Sequence, residues 1–169
     1  MYCEECTIEM VENKATVQNP YRYDLSGLSN VYLAGIVVRI CPRCNAEVPV
    51  IPRIAELHRE IARALVRKPA PLDGEEIRFL RKQAGFPAQK FATLLGVTPE
   101  HLSRVENGHI TSLGTSTDRL ARAIATLASD ETTAKEMLLK IADELEKKDQ
   151  ATEQRPIFRL EQNHWRMAA

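Results

Sequence analysis

Two Cys-x-x-Cys pairs, Cys3-Glu4-Glu5-Cys6 and Cys41-Pro42-Arg43-Cys44, contain all four cysteines of the 169-residue chain, and 34 residues separate them. Each pair can form a tight knuckle that offers two thiolates to one ion, and two knuckles complete a tetrahedral sulfur site. The natural occupant is one structural zinc per chain, held by Cys3, Cys6, Cys41 and Cys44. Four thiolates also suit iron or an iron–sulfur cluster, and a single Cys-x-x-Cys can serve as a redox dithiol. Two pairs at the two edges of a β-rich segment favour zinc. With every position filled by sulfur there is no open site for substrate, so this centre is not that of an enzyme. The spacing exceeds that of the commonest zinc ribbons, so a hairpin or small sheet must bring the knuckles together. His58, on a helix, and His164, near the C-terminus, read as surface residues rather than ligands.

Charge excludes a generic polyanion binder. The 23 Lys+Arg balance the 23 Asp+Glu, and no part is basic as a whole: residues 1–72 carry 9 basic and 8 acidic groups, 73–130 carry 7 and 7, and 131–169 carry 7 and 8. Hydrophobic content of 44% with 27% charged residues fits a globular protein. The longest uncharged stretch, Leu25 to Val38, has 14 residues, short of the roughly 20 that span a bilayer. The first residues are acidic and lack the order of a signal peptide, so a cytoplasmic location with reduced thiols is expected, and no membrane partner.

The chain divides at Lys68-Pro69-Ala70-Pro71-Leu72. We expect a zinc-binding domain over 1–68, a semi-rigid linker over 69–72, a helical domain over 73–149 and a tail over 150–169. In the first part, Ala15–Gln18 and the β-branched run Val31–Ile40 read as strands, with turn chemistry at Ser26–Asn30. Ile54, Leu57, Ile61 and Leu65 make one apolar stripe on a helix over 53–67 that could cover the sheet. After the linker the pattern is helical. Asp73-x-x-Glu76 fits a capping box opening a helix over 74–84, and Gly85 suits its end. A second helix runs over 87–95 and stops at Gly96. Thr98-Pro99 caps a third, which Gly108 closes. Further helices fit 116–128, with Leu120, Ile124 and Leu127 on one side, and 132–147, with Met137, Leu138, Ile141 and Leu145. The fold class is therefore two-domain α+β: a small zinc-bound β-rich domain with a helix, then an all-α domain.

Segment 87–108 reads helix, tight turn, helix. On the third helix Leu102 and Val105 share one face, while Glu100, His101, Arg104 and Asn107 project from others. Spacing alone is equally compatible with an ordinary helical bundle and with a helix-turn-helix that lays this helix in a DNA groove. The motifs Ile77-Arg78-Phe79-Leu80-Arg81-Lys82, Phe91-Ala92-x-x-Leu95-Gly96-Val97-Thr98 and Leu102-Ser103-Arg104-Val105-Glu106-Asn107-Gly108 resemble the repressor-type (Xre/Cro) helix-turn-helix family. Preceded by the two cysteine knuckles, with Tyr21-x-Tyr23 and a Gly35-containing strand before Cys41, residues 1–130 resemble the MqsA/YgiT-type zinc-finger and helix-turn-helix regulators, many of them antitoxins.

The resemblance implies sequence-specific binding to double-stranded DNA, with Arg104 matching the family's base-reading arginine. It also makes Glu100, His101, Ser103, Asn107, Gln89, Lys90 and Thr98 candidate contacts. Lys82, His109 and Thr111 join Gln89, Lys90 and Asn107 as candidates for positioning phosphates, and local placement of Arg81, Lys82, Lys90 and Arg104 must supply the affinity. Glu106 reads as structural, tying its helix to a neighbouring backbone or arginine. The chain departs from the family in having Pro87-Ala88 where Ser/Thr-Gln is usual, with Gln89 one place later. Glu100 stands where the antitoxins carry a base-reading asparagine, and Val105 where an aromatic is usual. Repressor-type domains read palindromic operators as homodimers, for which Ile124, Leu127, Leu138, Ile141 and Leu145 offer an apolar stripe. The resemblance further implies a repressor acting as an autoregulating antitoxin, with a toxin protein bound by the N-terminal domain. A protein-interaction adaptor and a stand-alone zinc-containing regulator without a toxin remain the alternatives. The tail lies beyond the resemblance and could be disordered, a dimer arm or a partner-binding strand.

Overall fold

The run Val31–Ile40 cannot remain one strand, because Gly35 turns the backbone to a φ of +83° in its middle. The computed structural model, which describes residues 1–129 and 157–167, divides it into β3 (Tyr32–Ala34) and β4 (Val37–Ile40). The two halves enter different sheets. β4 lies between β1 (Val11–Lys14) and β5 (Glu47–Val50), antiparallel to both. β3 pairs antiparallel with β2 (Tyr21–Arg22) and, on its other side, parallel with β6 (Ile157–Glu161). β7 (His164–Met167) completes the order β2-β3-β6-β7. The strand expected at Ala15–Gln18 falls just before that stretch, at β1. Ala15 instead bridges the halves of the broken run, donating to Ile36 O at 2.9 Å and accepting from Gly35 N at 2.8 Å.

The hairpin of β6 and β7 occupies the stretch read as a tail. Its two-residue loop, Gln162-Asn163, has φ of 46° and 64°, the paired left-handed conformation of a type I′ turn, which matches the twist of the flanking strands. Phe158 and Trp165 are buried, as are Val31, Leu33 and Ala34 of the β3 region.

The chain forms two compact units: Met1–Asp24, Asn30–Leu57 and the C-terminal strands make one, and Leu25–Ser29 with the chain from His58 through the last described helix make the other. The helix expected to cover the sheet, α1 (Ile54–Arg67), is shared between them, its first turn in the β unit and His58 onward in the helical unit. Leu57, Ile61 and Leu65 of its stripe are buried, while Ile54 is exposed.

The helical unit follows the punctuation of the sequence closely. α2 (Gly74–Gln83) opens on the capping box: Asp73 accepts from Glu76 N, and the Glu76 carboxylate accepts from Asp73 N at 2.9 Å. Burial pushes the Glu76 carboxyl up, against the pull of Lys68 Nζ at 2.9 Å. α3 (Ala88–Leu95) ends at Gly96 with φ 68°, and α4 (Pro99–Glu106) opens on Thr98, whose hydroxyl accepts from His101 N. α5 (Thr115–Ser129) follows. Ala121 and Ala125 face inward, whereas Leu120 and Leu127 are exposed. The helix expected over 132–147 lies outside the described residues.

The proline segment is held by two side chains of α5. Arg122, fully buried, donates to the carbonyls of Leu65, Val66, Lys68 and Ala70 at 3.3, 3.0, 2.6 and 2.7 Å and pairs with Asp118 at 2.8 Å. The other Asp118 oxygen accepts from Leu72 N at 2.7 Å. The last carbonyls of α1 have no intrahelical partners and carry the negative end of its dipole, so a cation with five donors suits them. Arg122→Ala is expected to leave the buried Asp118 carboxylate without its cation and the carbonyls of Val66, Lys68 and Ala70 without the guanidinium donors, and to lower stability by about 3–5 kcal/mol in urea denaturation. Arg122→Lys should restore only a part, since an ammonium cannot span the carbonyls as the planar fork does.

Candidate functional site

The two knuckles have the same backbone construction. Cys3 N donates to Ile8 O and Thr7 N to Cys3 O; Cys41 N donates to Ala46 O and Asn45 N to Cys41 O, all at 2.9–3.0 Å. The residue four places after each leading cysteine closes the turn with a positive φ, 54° at Thr7 and 57° at Asn45. Asparagine tolerates that conformation, and a β-branched threonine is strained in it. The first knuckle lies between Tyr2 and Glu9, which form a β-bridge, and the second joins β4 to β5. The antiparallel register Val11↔Ile40 then sets the two tips side by side. This is the small sheet that the long spacing demanded, although β1 builds it and not the stretch after Lys14.

The four sulfurs lie within 4.8 Å of one another, and Cys3 Sγ is 3.6 Å from Cys44 Sγ. A tetrahedral zinc with bonds near 2.3 Å sets its sulfurs about 3.8 Å apart, so the cluster fits such an ion. Cys3 and Cys41 are buried with Met10, and Ala46 and Val48 pack against them. The amide groups of Cys44 and Arg43 donate to the Cys41 sulfur and hold its pKa down at about 7. The hydrogen bond with Cys44, with burial and the neighbouring sulfurs, pushes Cys6 up to about 12. Four negative charges cannot share this space unless a cation compensates them. The described residues thus provide four ligands that could hold one metal ion.

The face of the helix-turn-helix is set by close backbone packing. A β-carbon on Gly74 would overlap the Val105 carbonyl oxygen, so only glycine lets the start of α2 meet the end of α4. Phe91, Ala92, Leu95, Leu102 and Val105 are buried between the helices. Glu106 is buried, and both its oxygens accept from Arg81, at 2.7 and 2.9 Å. Arg81 also donates to Phe86 O at 3.0 Å. This is the structural role expected of Glu106, and it corrects the expectation for Arg81: a guanidinium bound on both edges within the fold is not free to supply DNA affinity. Arg78, which sequence reasoning passed over, donates to Glu106 O and, at 2.6 Å, to Asn107 Oδ1. The i, i+3 spacing of Arg78 and Arg81 opposite an acidic residue was the available signal.

The remaining candidates fall into two groups. Thr98 caps α4, and Asn107 is engaged by Arg78 while donating to Ser103 Oγ at 3.2 Å. Glu100, Arg104, Gln89, Lys90 and Lys82 are exposed, as are His109 and Thr111, and His101 is half-buried. Among the described residues the Arg104 side chain makes no hydrogen bond or ion pair, so its five donors are available on the exposed side of the last turn of α4.

Metal uptake is expected to displace protons from the thiols, Cys6 above all, so affinity should rise with pH. Zinc titration against a chromophoric chelator at pH 6 and pH 8 checks this, and Cys41→Ser should abolish uptake and unfold the β unit. Arg81→Ala should lower the stability of the helical unit by about 3 kcal/mol in thermal denaturation, because buried Glu106 then keeps only the longer pairing to Arg78 Nε at 3.7 Å.

No curated protein and no solved structure matches the chain. No helix among the described residues is long and apolar enough to cross a membrane. Residues 77–123, from the first turn of α2 into α5, match the helix-turn-helix family HTH_3, a family of DNA-binding regulators and not of enzymes. The helical unit therefore carries a helix-turn-helix of the DNA-binding, transcription-regulating kind.

Proposed function

We propose that the chain is a zinc-containing, sequence-specific transcriptional repressor that binds a palindromic operator as a homodimer and acts as an autoregulating antitoxin. The observation that carries the reading is the unpartnered Arg104 guanidinium on α4, inside the segment that matches the helix-turn-helix family. A guanidinium of this kind can donate bidentately to guanine O6 and N7. Gln89 and Lys90 on α3 and Lys82 at the end of α2 then position phosphates, with His101, Ser103 and Glu100 beside the arginine. Glu100 can only accept, as from cytosine N4, and repels phosphate. Thr98 acts through the helix start it caps, and Asn107 through the Arg78 and Ser103 side chains it holds. The exposed Leu120 and Leu127 on α5, with half-buried Ile124 between them, supply the apolar stripe that a two-fold dimer needs.

Zinc is the metal this reading assigns to the cysteines, because a closed four-sulfur site holds a fold together without chemistry of its own. The β unit is left as the surface for a toxin. A stand-alone regulator uses the same two sites without that partner, and an interaction adaptor uses the β unit without DNA.

A gel shift on DNA from the chain's own promoter, run across a salt series, tests the reading. Binding with a shallow salt slope is expected, given the few free cations on the face. Arg104→Ala should weaken operator binding by about 1–3 kcal/mol and relax base preference while leaving the melting temperature unchanged. An unchanged footprint from that variant would remove α4 from the role of recognition helix. Co-purification with the product of the adjacent reading frame separates the antitoxin from the stand-alone regulator.

A further inference from the structure

Neither the thiol cluster nor the helix-turn-helix face uses the C-terminal hairpin. Its attachment to the β unit has the form of a bound ligand. Three residue pairs hold it to β3: Tyr32↔Ile157, Leu33↔Phe158 and Ala34↔Arg159. Two aromatic anchors, Phe158 and Trp165, are buried, and Trp165 Nε1 donates to Pro52 O at 2.9 Å, just ahead of α1. His164 adds an exposed contact beside it, 3.3 Å from Arg53 Nη1 and 3.4 Å from Glu56 Oε1.

The receiving surface is shaped for a strand. A β-carbon at Gly35 would stand 2.9 Å from Leu160 O and 3.1 Å from Leu160 N, so the missing side chain is what admits the β6 backbone. Leu33 and Ala34 have no exposure with the hairpin in place, and without it β3 would present an apolar edge with unpaired backbone groups. Anchor side chains beside a short main-chain ladder are how sheet edges bind extended peptides. A parallel pair, moreover, has no tight turn to tie it to its neighbour. Here 27 residues separate Ser129 from Ile157, and nothing in the β3–β6 register requires both strands to come from one chain.

We propose that the β3 edge is a strand-accepting site whose ligand class is a β-hairpin with two aromatic anchors, and that the C-terminal hairpin exchanges between copies of this chain. The site is completed by whichever copy's hairpin occupies it. The assignment is independent of DNA binding.

Trp165 is the sole tryptophan of the chain, which gives a direct reporter. The full chain carrying Trp165→Ala has a weakened hairpin of its own and no tryptophan, so a synthetic peptide of residues 155–169 contributes all the tryptophan fluorescence. Titrating that peptide with the variant should give a saturable blue shift of its emission. The full chain with Trp165→Phe keeps an aromatic anchor, so its own hairpin competes, and on the order of tenfold more protein should be needed. No blue shift with a Trp165→Ala variant that retains the wild-type far-UV circular dichroism overturns the proposal, as does equal affinity for the two variants. Should Trp165→Ala lose that signal, hydrogen exchange of the wild-type chain decides. Amides of Phe158–Trp165 exchanging before those of Val37–Ile40 support a hairpin that leaves by itself, and simultaneous exchange of both overturns it.

Discussion

The helical unit depends on a buried guanidinium. Arg122 and Asp118 are one turn apart on α5, and together they satisfy five backbone groups between Leu65 and Leu72. A buried ion pair is ordinarily a poor source of stability, because desolvation offsets the attraction. Here each charge also meets backbone groups of a helix end and a proline-rich turn. A segment with the composition of a free linker is thereby fixed to α5. α2 starts at its end, and the position of α2 decides where Gly74 can meet α4.

The same arrangement recurs at α4. Glu106 closes α4 by holding Arg81, and Arg78 covers the carbonyl at the helix end. Two of the helical unit's cations are consumed in orienting α4, and Arg104 is left without a partner among the described residues. A chain of zero formal charge can bind a polyanion in this way only where single cations are placed with care. Affinity of that origin depends on geometry more than on charge density.

In the β unit the thiols and the sheet need one another. The knuckle turns direct the sulfurs inward, and the register of β1 on β4 brings the pairs within ligand distance. The positive φ at Thr7 costs strain that the two backbone hydrogen bonds of the knuckle offset. Cysteine spacing foretold the cluster because ligand chemistry is local to each pair. The sheet was harder to read. β1 is VENK, exposed throughout, with no apolar alternation to mark it, and the run Val31–Ile40 conceals a break at Gly35, where the backbone turns to positive φ and Ala15 bonds to both sides.

The sequence by itself determined the helix boundaries from Asp73 to Gly108, the grouping of the four cysteines and the inward role of Glu106. Caps, glycine stops and Cys-x-x-Cys knuckles are fixed by interactions within a few residues, and those interactions are written in residue type. Tertiary structure alone decided that Arg81 is consumed and Arg104 left available, that the proline segment is clamped, and that Ile157–Met167 is a hairpin added to β3. Each of these rests on contacts between residues 25 to more than 120 positions apart. Periodicity carries no record of such contacts, because a side chain's partner is chosen by the fold and not by its neighbours in the chain.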